Sequence, residues 1–265
     1  MKHLINTGRI FYSIGIIGLA IQQFQYSDFR PVFTPPWPAW IHASGIWAYL
    51  AGAAFFIAGV FIITGKKGRL VSVLLGTVFL FLLVFLHIPY LLFIGPNSPV
   101  HLGLWTDPLK ELALSGGAFV IAGSFPQKNT GINTSASFIG FFEKLIPAGR
   151  FFFAIMLIAF GIAHFYYAEF VSGLVPAWIP WKIFWTYFAG IALIGSGVAV
   201  FLKIWLNHIA LLSALMIFLW FIFLHIPRAV ADPSVANGNE ITSVFEALAF
   251  SGILLIIALT QNKKN

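Results

Sequence analysis

Seven residues in the second half of the chain, His164, Tyr167, Glu169, Tyr187, His225, Arg228 and Glu246, are of types that carry protons or hold polar head groups. His164 and Tyr167 lie three apart, as do His225 and Arg228, so on helices each pair shares a face and can point into one interior. In such a setting Arg228 or His225 could hydrogen-bond a carbonyl, and Glu246 or His164 could relay protons. The candidate catalytic residues are therefore His164, His225, Arg228 and Glu246, and the candidate ligand-binding residues are Tyr167, Trp178, Tyr187, His225, Arg228 and Glu246. Two histidines and a carboxylate could ligate iron or zinc in principle, but no fixed spacing motif accompanies them and no metal is assigned. The sequence contains no cysteine, no Gly-rich phosphate loop and no serine-nucleophile elbow. Thiol chemistry is thereby excluded.

The elements that position these residues belong in a bilayer. Hydrophobic residues make up 60% of the chain, charged residues only 9%, and there are 30 Phe among 265 residues, too apolar for a soluble domain. Segments long enough to span hydrocarbon fall at 9 to 25, 43 to 64, 69 to 90, 109 to 124, 150 to 168, 182 to 202, 207 to 227 and 243 to 260. The expectation is eight transmembrane helices. Lys2 and Arg9 ahead of a short apolar run resemble a signal peptide, but the equivalent segment at 150 to 168 lies mid-chain and cannot be one. Glu246 sits about four residues into its segment. An ionisable group at that depth marks a functional residue or a bridge to Arg228 or His225.

Leu-His-Ile-Pro occurs at Leu86 to Pro89 and again at Leu224 to Pro227, 138 residues apart. The same offset aligns Pro38-Ala39-Trp40-Ile41 with Pro176-Ala177-Trp178-Ile179, Trp47 with Trp185, Tyr49 with Tyr187, Gly52 with Gly190 and Gly59 with Gly197. With small shifts, Gly8-Arg9 pair with Gly149-Arg150, and Ser115-Gly116 with Ser251-Gly252. Half the chain repeats the other half. Each repeat has an even number of helices, so both copies enter and leave on one side. They should form two four-helix bundles related by a pseudo-twofold along the membrane normal. The expected division is 1–124 for the first repeat, 125–146 for a polar linker with a short interfacial helix from Phe138 to Leu145, and 147–265 for the second.

Orientation follows from the basic residues. Lys2, Arg9, Lys66, Lys67, Arg69, Lys128, Lys144, Arg150, Lys203, Lys263 and Lys264 fall on the side of the termini, and Arg30, Lys110, Lys182 and Arg228 on the other. This bias places both termini in the cytoplasm of a bacterial-type inner membrane. It also gives the net charge of +7 a topological cause, with membrane lipid as the partner and nucleic acid excluded. Trp37, Trp40, Trp47, Trp105, Trp178, Trp181 and Trp185 read as an interfacial belt, and Gly52, Gly59, Gly190, Gly195 and Gly197 as helix-packing positions.

The two copies differ where chemistry is concerned. Against His164, Arg228 and Glu246 the first repeat has Gln23, Tyr90 and Lys110, with Glu111 one residue out of register. That asymmetry points to the second repeat as the one with the site. The first adds His42, His101 and Asp107, for which the sequence gives no role.

The strings Gly161-Ile162-Ala163-His164-Phe165, Val175-Pro176-Ala177-Trp178-Ile179-Pro180, Trp185-Thr186-Tyr187-Phe188-Ala189-Gly190, Leu224-His225-Ile226-Pro227-Arg228 and Phe245-Glu246-Ala247-Leu248-Ala249 resemble DoxX-like membrane proteins. Lys110-Glu111-Leu112-Ala113-Leu114 is similar to another form of the fourth-helix motif. The resemblance implies single four-helix modules, here duplicated, some of them quinone-linked oxidoreductase subunits or partners of other redox proteins. Three functions remain open: a redox-linked subunit binding a quinone-like or lipid-like molecule in the second bundle, a non-catalytic scaffold for a larger membrane complex, and a small-solute or proton-coupled transporter. Whether the chain is an enzyme is left open.

Overall fold

A computed structural model of the chain describes residues 1–36, 44–95, 101–127 and 138–260. Trp37, Trp40, His42 and the polar stretch 128–135 lie outside them.

Among the described residues every regular element is helical: α1 (Lys2–Tyr26), α2 (Ser44–Thr64), α3 (Gly68–Leu82), α4 (Thr106–Ser124), α5 (Phe138–Glu143), α6 (Gly149–Tyr166), α7 (Ala168–Leu174), α8 (Lys182–Leu202), α9 (Leu206–Trp220), α10 (Ile226–Ala231) and α11 (Asn239–Thr260). Seven helical stretches among the described residues are long and apolar enough to cross a membrane. α4 is not among them, because Asp107, Lys110 and Glu111 crowd its first turns. It is nevertheless one of the most deeply buried helices, as is α11, so Lys110 and Glu111 are sequestered by protein while Asp107 keeps some exposure.

The repeated Leu-His-Ile-Pro strings have a shared local consequence. Pro89 and Pro227 cannot donate to the preceding turn. In both copies the helix widens just before the proline into a π turn, Leu83–His87 and Phe221–His225, and the next amide bonds five residues back, Ile88 to Leu83 and Ile226 to Phe221. Each turn ends on the histidine of the string.

The helices do not close into two separate four-membered bundles, as the repeat alone suggested. α1 packs along α11 and scarcely touches α4, while α6, its counterpart, packs along α4. The path runs around the molecule from α1 through α2, α3, α4, α6, α8, α9 and α11 and back to α1, with α4 and α11 meeting across the middle. Each half thus lends its first long helix to the last helix of the other.

Glycines fix both crossings. A Cβ on Gly252 would stand 2.6 Å from the Gly8 carbonyl oxygen, and one on Gly116 would stand 2.5 Å from the Gly149 carbonyl oxygen. Without side chains at these points, backbones approach to packing distance, the main attraction available between apolar helices in lipid. Other contacts recur at equivalent positions. Gly59 packs on Ile17 and Gly197 on Ile158; Ser115 donates to the Gly76 carbonyl at 2.7 Å and Ser251 to the Ala214 carbonyl at 2.9 Å.

At the termini, arginines cap helix ends. Arg9 donates through Nε to Ser124 Oγ at 2.8 Å and also to the Ser124 carbonyl, at the C-terminal end of α4. Arg150 donates to the Val200 carbonyl at 2.7 Å at the end of α8. Both satisfy carbonyls that lack helical partners, at the negative pole of the helix dipole. Arg69 at the start of α3 holds α5 through Glu143 at 2.7 Å, which brings the chain alongside α4 before α6 begins.

At the opposite end, the segment after α1 folds inward. Arg30, Val32, Phe33 and Thr34 are buried, and Phe33 lies between Phe55 and Phe79 at ring separations of 4.9 and 5.2 Å. This plug closes one end of the first half. The second half has α7 and residues 175–181 in the equivalent place, more openly exposed.

Candidate functional site

The end of the molecule opposite the termini collects most of the buried charge. At its centre α4 and α11 meet, and Lys110 Nζ lies 2.9 Å from Glu246 Oε2. Lys110 also approaches Asp107 Oδ1 at 3.6 Å, one turn away on its own helix. Glu246 is buried, and its second oxygen, Oε1, has no hydrogen-bond partner. A carboxylate in so apolar a setting needs a counter-charge. Lys110, from the other half, supplies it.

The remaining sequence-derived candidates surround this pair at different distances. His225 ends its π turn within electrostatic reach of Lys110, Arg228 and Glu240, and its buried Nδ1 has no partner. Arg228 pairs with Glu240 at the start of α11, with Nε 2.9 Å from Oε2 and a second bond to Oε1, and reaches the Leu174 carbonyl at 3.4 Å. This bidentate clamp ties α10 to α11 and to the end of α7.

Four candidates are turned elsewhere. His164 bonds the Phe160 carbonyl of its own helix through Nδ1 at 2.7 Å, with its ring stacked near Trp220 at 6.5 Å. Tyr167 accepts a hydrogen bond at 3.0 Å from the Gly103 amide and lies 6.4 Å from the His101 ring, so it holds the 102–105 turn. Tyr187 is largely exposed and stacks on Phe165 at 5.4 Å. Trp178 is 67% exposed and meets Phe223 edge-on at 6.4 Å.

A hydrogen-bonded group escaped the sequence reading. Arg30, 2% exposed, donates to Thr242 Oγ1 at 3.2 Å and to the Asn237 carbonyl at 2.8 Å, with its guanidinium over the Tyr26 ring. Thr242 in turn donates to Gln22 at 3.0 Å, and Gln22 to the Gly238 carbonyl at 3.1 Å. Burial pulls the Arg30 guanidinium below its ordinary range, opposed by Tyr26, Glu246, Asp28 and Asp107. The available signal was an arginine set among Phe29, Val32 and Phe33.

In the first half, His87 and Glu111 face each other, with Nε2 and Oε2 3.6 Å apart and both side chains buried. An open apolar groove of about 270 Å³ lies between Phe24, Ala53, Phe56 and Ile57. It has no polar lining residue and adds nothing to the charged centre. Among the described residues, no group of three or more His, Asp and Glu is arranged to hold a metal.

Comparison of the chain with protein-family models, with curated proteins and with solved structures finds no match, so the reading of its function rests on its own residues.

Proposed function

We propose that this multi-pass membrane protein is a ligand-binding, redox-linked subunit of DoxX-like type, whose site lies where α4, α9 and α11 converge. The ligand is a quinone-like or lipid-like molecule with a hydrogen-bonding head and an apolar body. The observation that carries this reading is a pair of buried polar atoms without partners, Glu246 Oε1 and His225 Nδ1, in the neighbourhood of Lys110. Buried polar atoms in folded proteins are nearly always satisfied, so orphans mark places where another molecule completes the set. Trp178, Phe223 and Tyr187 supply aromatic surface toward the lipid, by which such a molecule enters.

The bias of Lys and Arg toward the end bearing the termini supports a cytoplasmic location for both of them, in an inner membrane of bacterial type. Matched glycine crossings support a pseudo-twofold axis along the membrane normal relating the two repeats. On this arrangement the ligand is held near the outer face.

The test is retention of quinone by the protein purified from membranes, with wild type compared with Glu246→Gln and His225→Gln. The reading expects stoichiometric quinone in wild type and its loss from both variants below their melting temperatures, with His225→Gln melting within a few degrees of wild type and Glu246→Gln lower because it also breaks the pair with Lys110. Wild-type protein that neither retains nor takes up quinone or lipid would sink it.

A second reading, a non-catalytic scaffold for a larger complex, is favoured by the pairing of Lys110 with Glu246 and of Arg228 with Glu240. In that case the ions only join the halves, and losses of partner binding follow losses of stability.

A further inference from the structure

Glu111 and His87 lie outside the convergence of α4, α9 and α11 and play no part in the ligand reading. Glu111 sits one residue beyond Lys110 and so points about a quarter-turn around α4, into the first half. None of its side chain is exposed, and neither carboxyl oxygen has a hydrogen-bond partner. Oε2 faces His87 Nε2 at 3.6 Å, and that nitrogen also has no hydrogen-bond partner. The His87 ring hydrogen-bonds the backbone of Val32 in the plug. With the ring proton on Nδ1, toward the Val32 carbonyl, Nε2 presents a lone pair to Glu111.

Two acceptors therefore face each other in a dry interior. Burying them without a donor is costly, and one proton between them satisfies both. The π turn that ends on His87 brings its ring to α4, and the plug fixes the ring from the other side. Asp107 is the charged group that acts on both members of the pair. Its side chain is 36% exposed and lies one helical turn from Glu111 on the same face of α4. The second half has His225 in place of His87 but Ala247 where Glu111 stands, so this pair is confined to one copy.

We propose that Glu111 and His87 form a buried proton-binding site in the first half, loaded from the membrane surface through Asp107. A proton from water binds the Asp107 carboxylate. The Asp107 O–H bond then breaks as a new O–H bond forms on Glu111, returning Asp107 to its anion. The Glu111 hydroxyl donates to His87 Nε2, and movement of the proton across that bond leaves a carboxylate beside an imidazolium with no net change of charge. Release follows the same steps in reverse.

Infrared difference spectroscopy tests this on the purified full-length protein in lipid nanodiscs, with the proton itself as the probe in buffers stepped through pH. The expected result is a carboxylic-acid C=O band that disappears in Glu111→Gln and persists in Glu240→Gln. In His87→Asn its titration midpoint should move by about one pH unit or more, because its facing partner is gone. In Asp107→Asn the band should keep its amplitude and appear more slowly after a pH jump. Identical spectra for wild type and Glu111→Gln overturn the proposal. If Glu111→Gln does not assemble, His87→Asn decides alone, and an unmoved midpoint overturns it. Quinone retention by Glu111→Gln should match wild type, so this site and the ligand reading fail separately.

Discussion

Lys110 and Glu246 occupy the same place in the two halves of the chain, five residues before the matched Ser115-Gly116 and Ser251-Gly252, and they bind each other at 2.9 Å. Identical residues at such a meeting point would repel if charged. Opposite residues make the two central helices complementary, so the substitution that distinguishes the copies also joins them. For this pair the relevant contact lies between the halves.

The first prediction follows from that pairing. Removing Lys110 leaves the buried Glu246 carboxylate without its counter-charge, for which a loss of about 3–5 kcal/mol is typical, whereas removing Glu246 leaves Lys110 with Asp107 at 3.6 Å. Lys110→Gln should therefore destabilise more than Glu246→Gln, and the exchanged double variant Lys110→Glu with Glu246→Lys should recover part of the loss. Thermal melting in detergent measures all three. Full stability in both single variants would show that the pair does not hold the halves together.

Glycine crossings give a second test. Gly252→Leu would drive a side chain into the α1 backbone, and Gly116→Leu would do the same at α6. Because the two crossings are equivalent, both variants should lose folded yield to a comparable extent. Size-exclusion profiles after extraction check this, and a monodisperse wild-type-like peak for either variant would contradict the packing described.

The Arg228–Glu240 pair should matter less for stability. Both side chains keep some exposure, 27% and 16%, and exposed ion pairs are worth about 0.2–1 kcal/mol. Glu240→Gln is expected to shift the melt by no more than that, and a larger loss would mean that the clamp on α10 organises more of the fold.

Arg30 is the contrasting case. Hydrogen bonds to charged groups contribute about 1.5–3 kcal/mol each, and Arg30 makes two, to Thr242 and to the Asn237 carbonyl. Arg30→Met should loosen the contact between the plug and α11 by at least one such increment. Thr242→Val should give a smaller loss, since it deletes one of the two bonds and the link to Gln22. Hydrogen exchange at residues 29–34 and 237–242 reports both.

Sequence by itself determined the apolar, helical character of the chain, most of its long helices and the matched strings at a fixed offset, because each is written in local composition or spacing. The π turns were half legible. Pro89 and Pro227 require that a backbone bond be rearranged, but how it rearranges depends on the surrounding helices. α4 was read as one more apolar span, yet Asp107, Lys110 and Glu111 remove it from the helices apolar enough to cross alone, and only its burial among neighbours sequesters Lys110 and Glu111.

Partner choice was decided by the tertiary structure, for a reason inherent in matched positions. Gly8 and Gly149 occupy equivalent places, as do Gly116 and Gly252, so the sequence is equally compatible with each first helix packing on its own last helix or on that of the other half. The same ambiguity covered the site. Glu246 demanded a counter-charge, and Arg228 and His225 of its own half were the partners the sequence offered. Proximity in three dimensions selected Lys110, gave Arg228 to Glu240, and left His87 facing Glu111 in the half that the sequence had not singled out for the site.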